Sequence, residues 1–253
     1  MLKSILGALV VFGGTLYSVE SINLPLYQET EHFQAYCLEK DRDATREVML
    51  DLESFAKKYE QDWNFSFPVE KIKLYIYPDI QTFHQTRSYD KQCRADYKIG
   101  GYDEKNNAIS LVTPKNCGPL HTEISAMKSA RWCLGLFVMN KKYGFYPDWL
   151  CYGLPLYEVD MYTKDQVFKY LLNGKNEIVI PPISQLEGED VSQQGRAWVV
   201  SRYVLAKFLV DNWGMDKARA VMDDYASFET ILGISKEEFR EECIQYWQKG
   251  LLN

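Results

Sequence analysis

The stretch KIKLYIYP at 71–78 alternates strictly, with Ile72, Leu74 and Ile76 on one side and Pro78 at its end. A period of two sends successive side chains to opposite faces, so these residues demand a half-buried strand. TEHFQAYC (30–37) alternates in the same way. IGGYDEKNNAISLV (99–112) reads as two strands around a polar turn, where Asn106-Asn107 suits left-handed backbone. Between the first two strands the period changes. Val48, Leu52, Phe55 and Tyr59 recur at helical spacing, which predicts a helix over 41–62.

After the hairpin, helical spacing dominates. One helix is expected from about Pro119 to Asn140, and a second from Asp148, read as an N-cap directly after Pro147. Two adjacent prolines make IVIPPISQL (178–186) extended. Residues 191–213 and 215–225 read as two helices parted at Gly214. SKEE at 235–238 is a capping box that opens a last helix, with Phe239, Cys243 and Tyr246–Trp247 turned inward. The expected class is α+β: a small mixed sheet with a hairpin, then a helical half, in one domain over 22–253.

The first 21 residues, MLKSILGALVVFGGTLYSVES, carry one Lys and then an apolar run, with Val19 and Ser21 suited to signal-peptidase cleavage. The expectation is an exported chain: periplasmic, cell-surface or secreted. The run is too short and Gly-rich for stable membrane insertion beyond an N-terminal segment left uncleaved. A formal charge of −6 and no basic stripe argue against nucleic acid as a partner. In an exported protein, six cysteines (37, 93, 117, 133, 151, 243) favour disulfides, and six allow 15 pairings.

Two stretches bear on chemistry. HTEIS occupies 121–125, and WLCYGLPLY occupies 149–157. A zinc peptidase uses HExxH on a helix, two His holding the metal and the Glu activating its water, with a third ligand from a later helix. Together with the order strand, helix, strand, hairpin and two helices, these stretches resemble the gluzincin metallopeptidases, in particular peptidase MA-like domains of the zincin-like fold. There HExxH is followed by W-L-x-E-G-x-A-x-Y. This chain matches at Trp149, Leu150, Gly153 and Tyr157, and the resemblance extends from about His32 to Trp247.

The departures decide what the resemblance implies. His121 stands at the first ligand position, Thr122 replaces the catalytic Glu, Ser125 the second His and Tyr152 the third-ligand Glu. Thr is no general base near neutral pH, and Ser is a poor zinc ligand. No metal or other cofactor is expected, with His121 the residual metal candidate. Ser125 lies four residues from His121, but no G-x-S-x-G elbow supports a serine nucleophile. The reading is a catalytically inactive pseudopeptidase that binds a peptide or protein partner. The alternative is a live metal-dependent or noncanonical peptidase using His121 with replacement ligands from Cys117 and Cys151.

Family likeness also suggests where binding and bridging would occur. Such domains take an extended substrate on the strand beside the site, which implies Ala108, Ser110 and Val112, with Tyr152 and Tyr157 nearby. Their two motif helices pack side by side, so a Cys133–Cys151 disulfide would staple them where a metal once did. Cys93 with Cys117 and Cys37 with Cys243 would complete the set.

Overall fold

A computed structural model describes residues 22–86, 98–187 and 195–251. Residues 1–21, read as a leader from the sequence, and Cys93 lie outside the described residues.

The first half builds one five-stranded sheet from β1 (Leu26–Glu29), β2 (Phe33–Tyr36), β3 (Ile72–Tyr77), β4 (Gly100–Asp103) and β5 (Ala108–Val112). Its spatial order is β1-β2-β3-β5-β4, with β2, β3 and β5 parallel and both outer strands antiparallel to their neighbours. The parallel connection from β2 to β3 runs through helix α1 (Arg42–Trp63), as a parallel pair requires. Its apolar stripe of Val48, Leu52 and Tyr59 is buried against the sheet, while Phe55 is half-buried. The expected hairpin closes at Asn107, which takes the left-handed conformation (φ 49).

Ile72, Leu74 and Ile76 face the main core together with Phe33, Ala35, Ile109 and Leu111. The opposite face carries Tyr36 stacked on Tyr75 at 4.9 Å, and a smaller apolar cluster around Phe83 of the short helix α2 (Ile80–Thr86).

The second half contributes α3 (Glu123–Tyr143), α4 (Asp148–Glu158), α5 (Lys164–Leu171), α6 (Ile183–Leu186), α7 (Gly195–Asp223), α8 (Phe228–Leu232) and α9 (Lys236–Leu251). The architecture is α+β, a small mixed sheet followed by helices. One continuous core runs from Phe33 to Trp247 and joins the two halves. α7 breaks where expected, since Gly214 leaves helical geometry at φ 80 and ψ 163.

α4 is the centre of this half. Gly153 lets it press on α7: a Cβ there would sit 2.4 Å from the Arg202 carbonyl oxygen. Gly135 does the same for α3, where a Cβ would meet Pro155 and the Tyr59 hydroxyl at 2.5 Å. Trp149, Leu150, Leu154 and Leu156 are fully enclosed.

Several expectations need correction. Ala108–Val112 is no edge strand: β3 and β4 flank it on both sides and all five residues are buried. The edge passes to β4. Cys37, Cys117, Cys151 and Cys243 are buried free thiols, so neither the Cys133–Cys151 staple nor the Cys37–Cys243 pair is formed. The Cys93–Cys117 pairing involves a residue outside the described set. Tyr246 points outward at 40% exposure, unlike its neighbour Trp247.

Candidate functional site

The HTEIS stretch begins a helix instead of sitting inside one. Gly118 at φ 85 turns the chain, the His121 amide donates to the Gly118 carbonyl at 3.2 Å, and α3 starts only at Glu123. Thr122 is its N-cap: the Ser125 amide donates to Thr122 Oγ1 at 3.2 Å, and the Thr122 amide donates to Ser125 Oγ at 2.9 Å. These are the two bonds of a capping box, each filling a donor that a helix start leaves unmet. Thr122 and Ser125, which the resemblance set at the catalytic Glu and second His, are therefore occupied with holding the helix end. T-x-x-S was the signal, read as a broken metal motif.

Asp148 also does other work. Pro147 takes the N-cap position of α4, and Asp148 makes no cap bond. Its carboxylate accepts from Arg202 Nη2 at 2.7 Å, and Arg202 is wholly buried. Burial pushes the Asp148 carboxyl up, while the guanidinium holds it back. The same guanidinium lies 5.4 Å over the Tyr152 ring, whose other contact is Phe145, stacked at 5.4 Å. Burial, with Asp148 adding to it and Arg202 opposing, pushes the Tyr152 phenol up to about 12. Tyr152, which the resemblance set at the third-ligand position, is thus a neutral ring between an aromatic and a cation.

Distance separates the two motifs. Gly135 meets Pro155, and Lys128 Nζ bonds the Asp160 carbonyl, so α3 and α4 run antiparallel. Thr122 lies thirteen residues before Gly135, and Tyr152 lies three before Pro155. At 1.5 Å per residue the two are roughly 24 Å apart along the helices. Level with Tyr152 on α3 are Phe137 to Asn140, where Tyr102 packs on α3 and the loop after it: its hydroxyl accepts from Asn140 Nδ2 at 3.1 Å, and its ring meets Phe137 and Phe145.

The replacement ligands are not assembled either. Cys151 sits in the core of α4 with its thiol pushed far up by burial, and Cys117 belongs to the apolar cluster on the other side of the sheet. Among the described residues a single group of three potential metal ligands lies within reach of one another: Glu31, His32 and Glu53. No residue near His121 belongs to it.

Glu158, at the end of α4, has a side chain only 2% exposed. It accepts from Trp63 Nε1 at 3.0 Å and Lys58 Nζ at 3.3 Å, tying the end of α4 to α1. Tyr157 lies beside Lys207, whose Nζ is 5.6 Å over its ring. Lys207 in turn lines a cleft of about 920 Å³ with Tyr162, Tyr203, Tyr246 and Trp247, between α5, α7 and α9.

One open backbone row completes the geometry. Val112 N donates to the Ile99 carbonyl at 2.8 Å, which makes Ile99 and Val112 a bonded pair. Bonded pairs alternate along an antiparallel ladder, so Gly101–Ser110 and Asp103–Ala108 are bonded in turn. Gly100 and Tyr102 then direct their N–H and C=O groups away from β5, and no strand pairs with that side among the described residues.

No family model, no curated protein and no solved structure matches the chain.

Proposed function

We propose that the chain is an exported, non-hydrolytic relative of zinc metallopeptidases that binds an extended peptide or protein segment along β4. The observation that carries this reading is the outward amide and carbonyl row of Gly100 and Tyr102 at the end of the sheet. An edge strand with unpaired backbone accepts another strand, its main chain giving affinity and neighbouring pockets giving selectivity. Tyr102 and the stacked Phe145–Tyr152 pair lie beside that row and supply amphipathic rings for side-chain recognition. Supporting the loss of hydrolysis is the use of Thr122 and Ser125 as a cap, about 24 Å by helix rise from Tyr152.

The test is selection of peptides from a displayed library, followed by hydrogen exchange on the complex. Protection confined to the outward amides of Gly100 and Tyr102 is expected, with Gly100→Pro abolishing binding because it deletes an outward donor and spares the ladder to β5. Peptides that bind the proline variant equally well would remove the edge from the proposal. Chelator-sensitive cleavage of those peptides would replace it with a live peptidase.

A further inference from the structure

At the opposite end of the sheet from β4, the β1–β2 turn meets α1 in a cluster that the peptide-binding reading does not use. His32 is 7% exposed, its ring 4.6 Å from Phe67 on the apolar side. Its Nδ1 lies 2.6 Å from Glu53 Oε2, and its backbone amide donates to Glu53 Oε1 at 2.9 Å. On the other side of the ring, Nε2 lies 3.5 Å from Glu60 Oε1. Glu31, exposed, brings a third carboxylate, and one ligand atom each from Glu31, His32 and Glu53 lie within 4.8 Å of one another. Among the described residues, no Lys or Arg pairs with Glu31, Glu53 or Glu60. Three carboxylates thus surround one largely buried imidazole, a charge excess that a single proton on the ring does not offset.

We propose that Glu31, His32 and Glu53 form a binding site for a divalent first-row transition metal, which clips the β1–β2 turn to α1. Imidazole nitrogen with two carboxylates suits zinc and its neighbours. Nδ1 faces the ion, and Glu60 on Nε2 is the outer carboxylate that fixes the ring's tautomer and direction. An ionised carboxylate is the form a metal needs. Metal–ligand distances near 2.0–2.1 Å at tetrahedral angles place ligand atoms about 3.3 Å apart, so Glu53 withdraws from Nδ1 by under an ångström. Solvent reaches the ion on the Glu31 side and fills its remaining position with water.

The experiment is Zn2+ titration of the full chain by calorimetry, with metal content after dialysis and the melting temperature as second readouts. One zinc per chain and a zinc-dependent rise in melting temperature are expected. His32→Gln abolishes both, and Glu60→Gln weakens binding about tenfold, as loss of an outer carboxylate does. Should His32→Gln fail to fold, Glu31→Gln decides, since its side chain is exposed and leaves packing intact: binding weakened tenfold or more supports the site. Zinc binding that is absent from the unaltered chain, or unchanged in Glu31→Gln, overturns it. So does a Co2+ complex with thiolate charge-transfer bands, because it would place the metal on the cysteines.

Discussion

The start of α3 and the body of α4 look alike as strings, each resembling one half of a zinc-peptidase motif, yet they differ in every physical respect. At the start of α3, Thr122, Glu123 and Ile124 are exposed, and the polar atoms of Thr122 and Ser125 are satisfied within four residues. In α4 all residues from Asp148 to Leu156 except Tyr152 are buried. Its polar groups find partners far along the chain: Asp148 meets Arg202, and Trp149 Nε1 donates to the Tyr225 hydroxyl at 2.9 Å. The lesson concerns what a motif match measures. W-L-x-x-G recurs in α4 because a helix clasped on several sides needs a large ring, an apolar neighbour and a glycine at the closest crossing. H-T-x-x-S recurs because a helix needs a beginning.

If α4 holds the second half together, changes there should dominate. The largest effect is expected from Asp148→Ala, which strands the Arg202 charge in the core. Breaking a buried pair this way costs about 3–5 kcal/mol, read as a lowered urea midpoint. Replacing both partners by apolar residues of similar volume, Asp148→Leu with Arg202→Met, is expected to recover most of that loss. If the double variant is no more stable than Asp148→Ala, the cost lies in packing and not in the orphaned charge.

Gly153→Ala comes next. Its new Cβ would meet the Arg202 carbonyl oxygen at 2.4 Å and Ala206 Cβ at 2.8 Å, and neither is the end of a flexible side chain. Overpacking of this kind costs about 1–3 kcal/mol. Thermal unfolding checks it, with Gly174→Ala as the counterpart: a Cβ there meets nothing within 4 Å, and the backbone is not left-handed. Equal losses in both would mean that the contact between α4 and α7 is not what limits Gly153.

Thr122→Ala tests the other region. An N-cap hydroxyl contributes about 1 kcal/mol, so the urea midpoint should fall by less than in either α4 variant. Thr122→Ser should restore it, whereas Thr122→Glu, which places the residue of an HExxH motif there, should not. A Thr122→Ala loss as large as that of Asp148→Ala would place the α3 start inside the core and undo the contrast.

What the sequence made legible follows the same division. Strict alternation disclosed β3 and the hairpin, and Gly214 and the SKEE box marked helix ends, because each is written within a few neighbouring residues. β1 was missed: LYQE is exposed but for a half-buried Tyr27, and carries no alternating stripe. α5 was missed as well, although Thr163 and Gln166 form a capping box that T-x-x-Q spells out. Sheet order is not local, so Ala108–Val112 looked like an edge until β4 folded outside it. The Glu31, His32 and Glu53 cluster joins a turn to a helix twenty-one residues on, and no spacing rule links such positions.

His121→Ala is expected to have the smallest effect of all, about 0.5 kcal/mol or less on the urea midpoint. The bond that fixes the turn here runs from the His121 amide to the Gly118 carbonyl, and that backbone bond survives any change of side chain. The cap of α3 is made by Thr122 and Ser125, which are untouched. The position is half-buried, so no large apolar volume is vacated. Zinc content should equal that of the unaltered chain, since the proposed ligands lie on the β1–β2 turn and α1. A loss of zinc in His121→Ala, with zinc kept in His32→Gln, would reverse both halves of the contrast. It would make the α3 start a metal site after all and require α4 to reach it by a rearrangement of roughly 24 Å in helix rise.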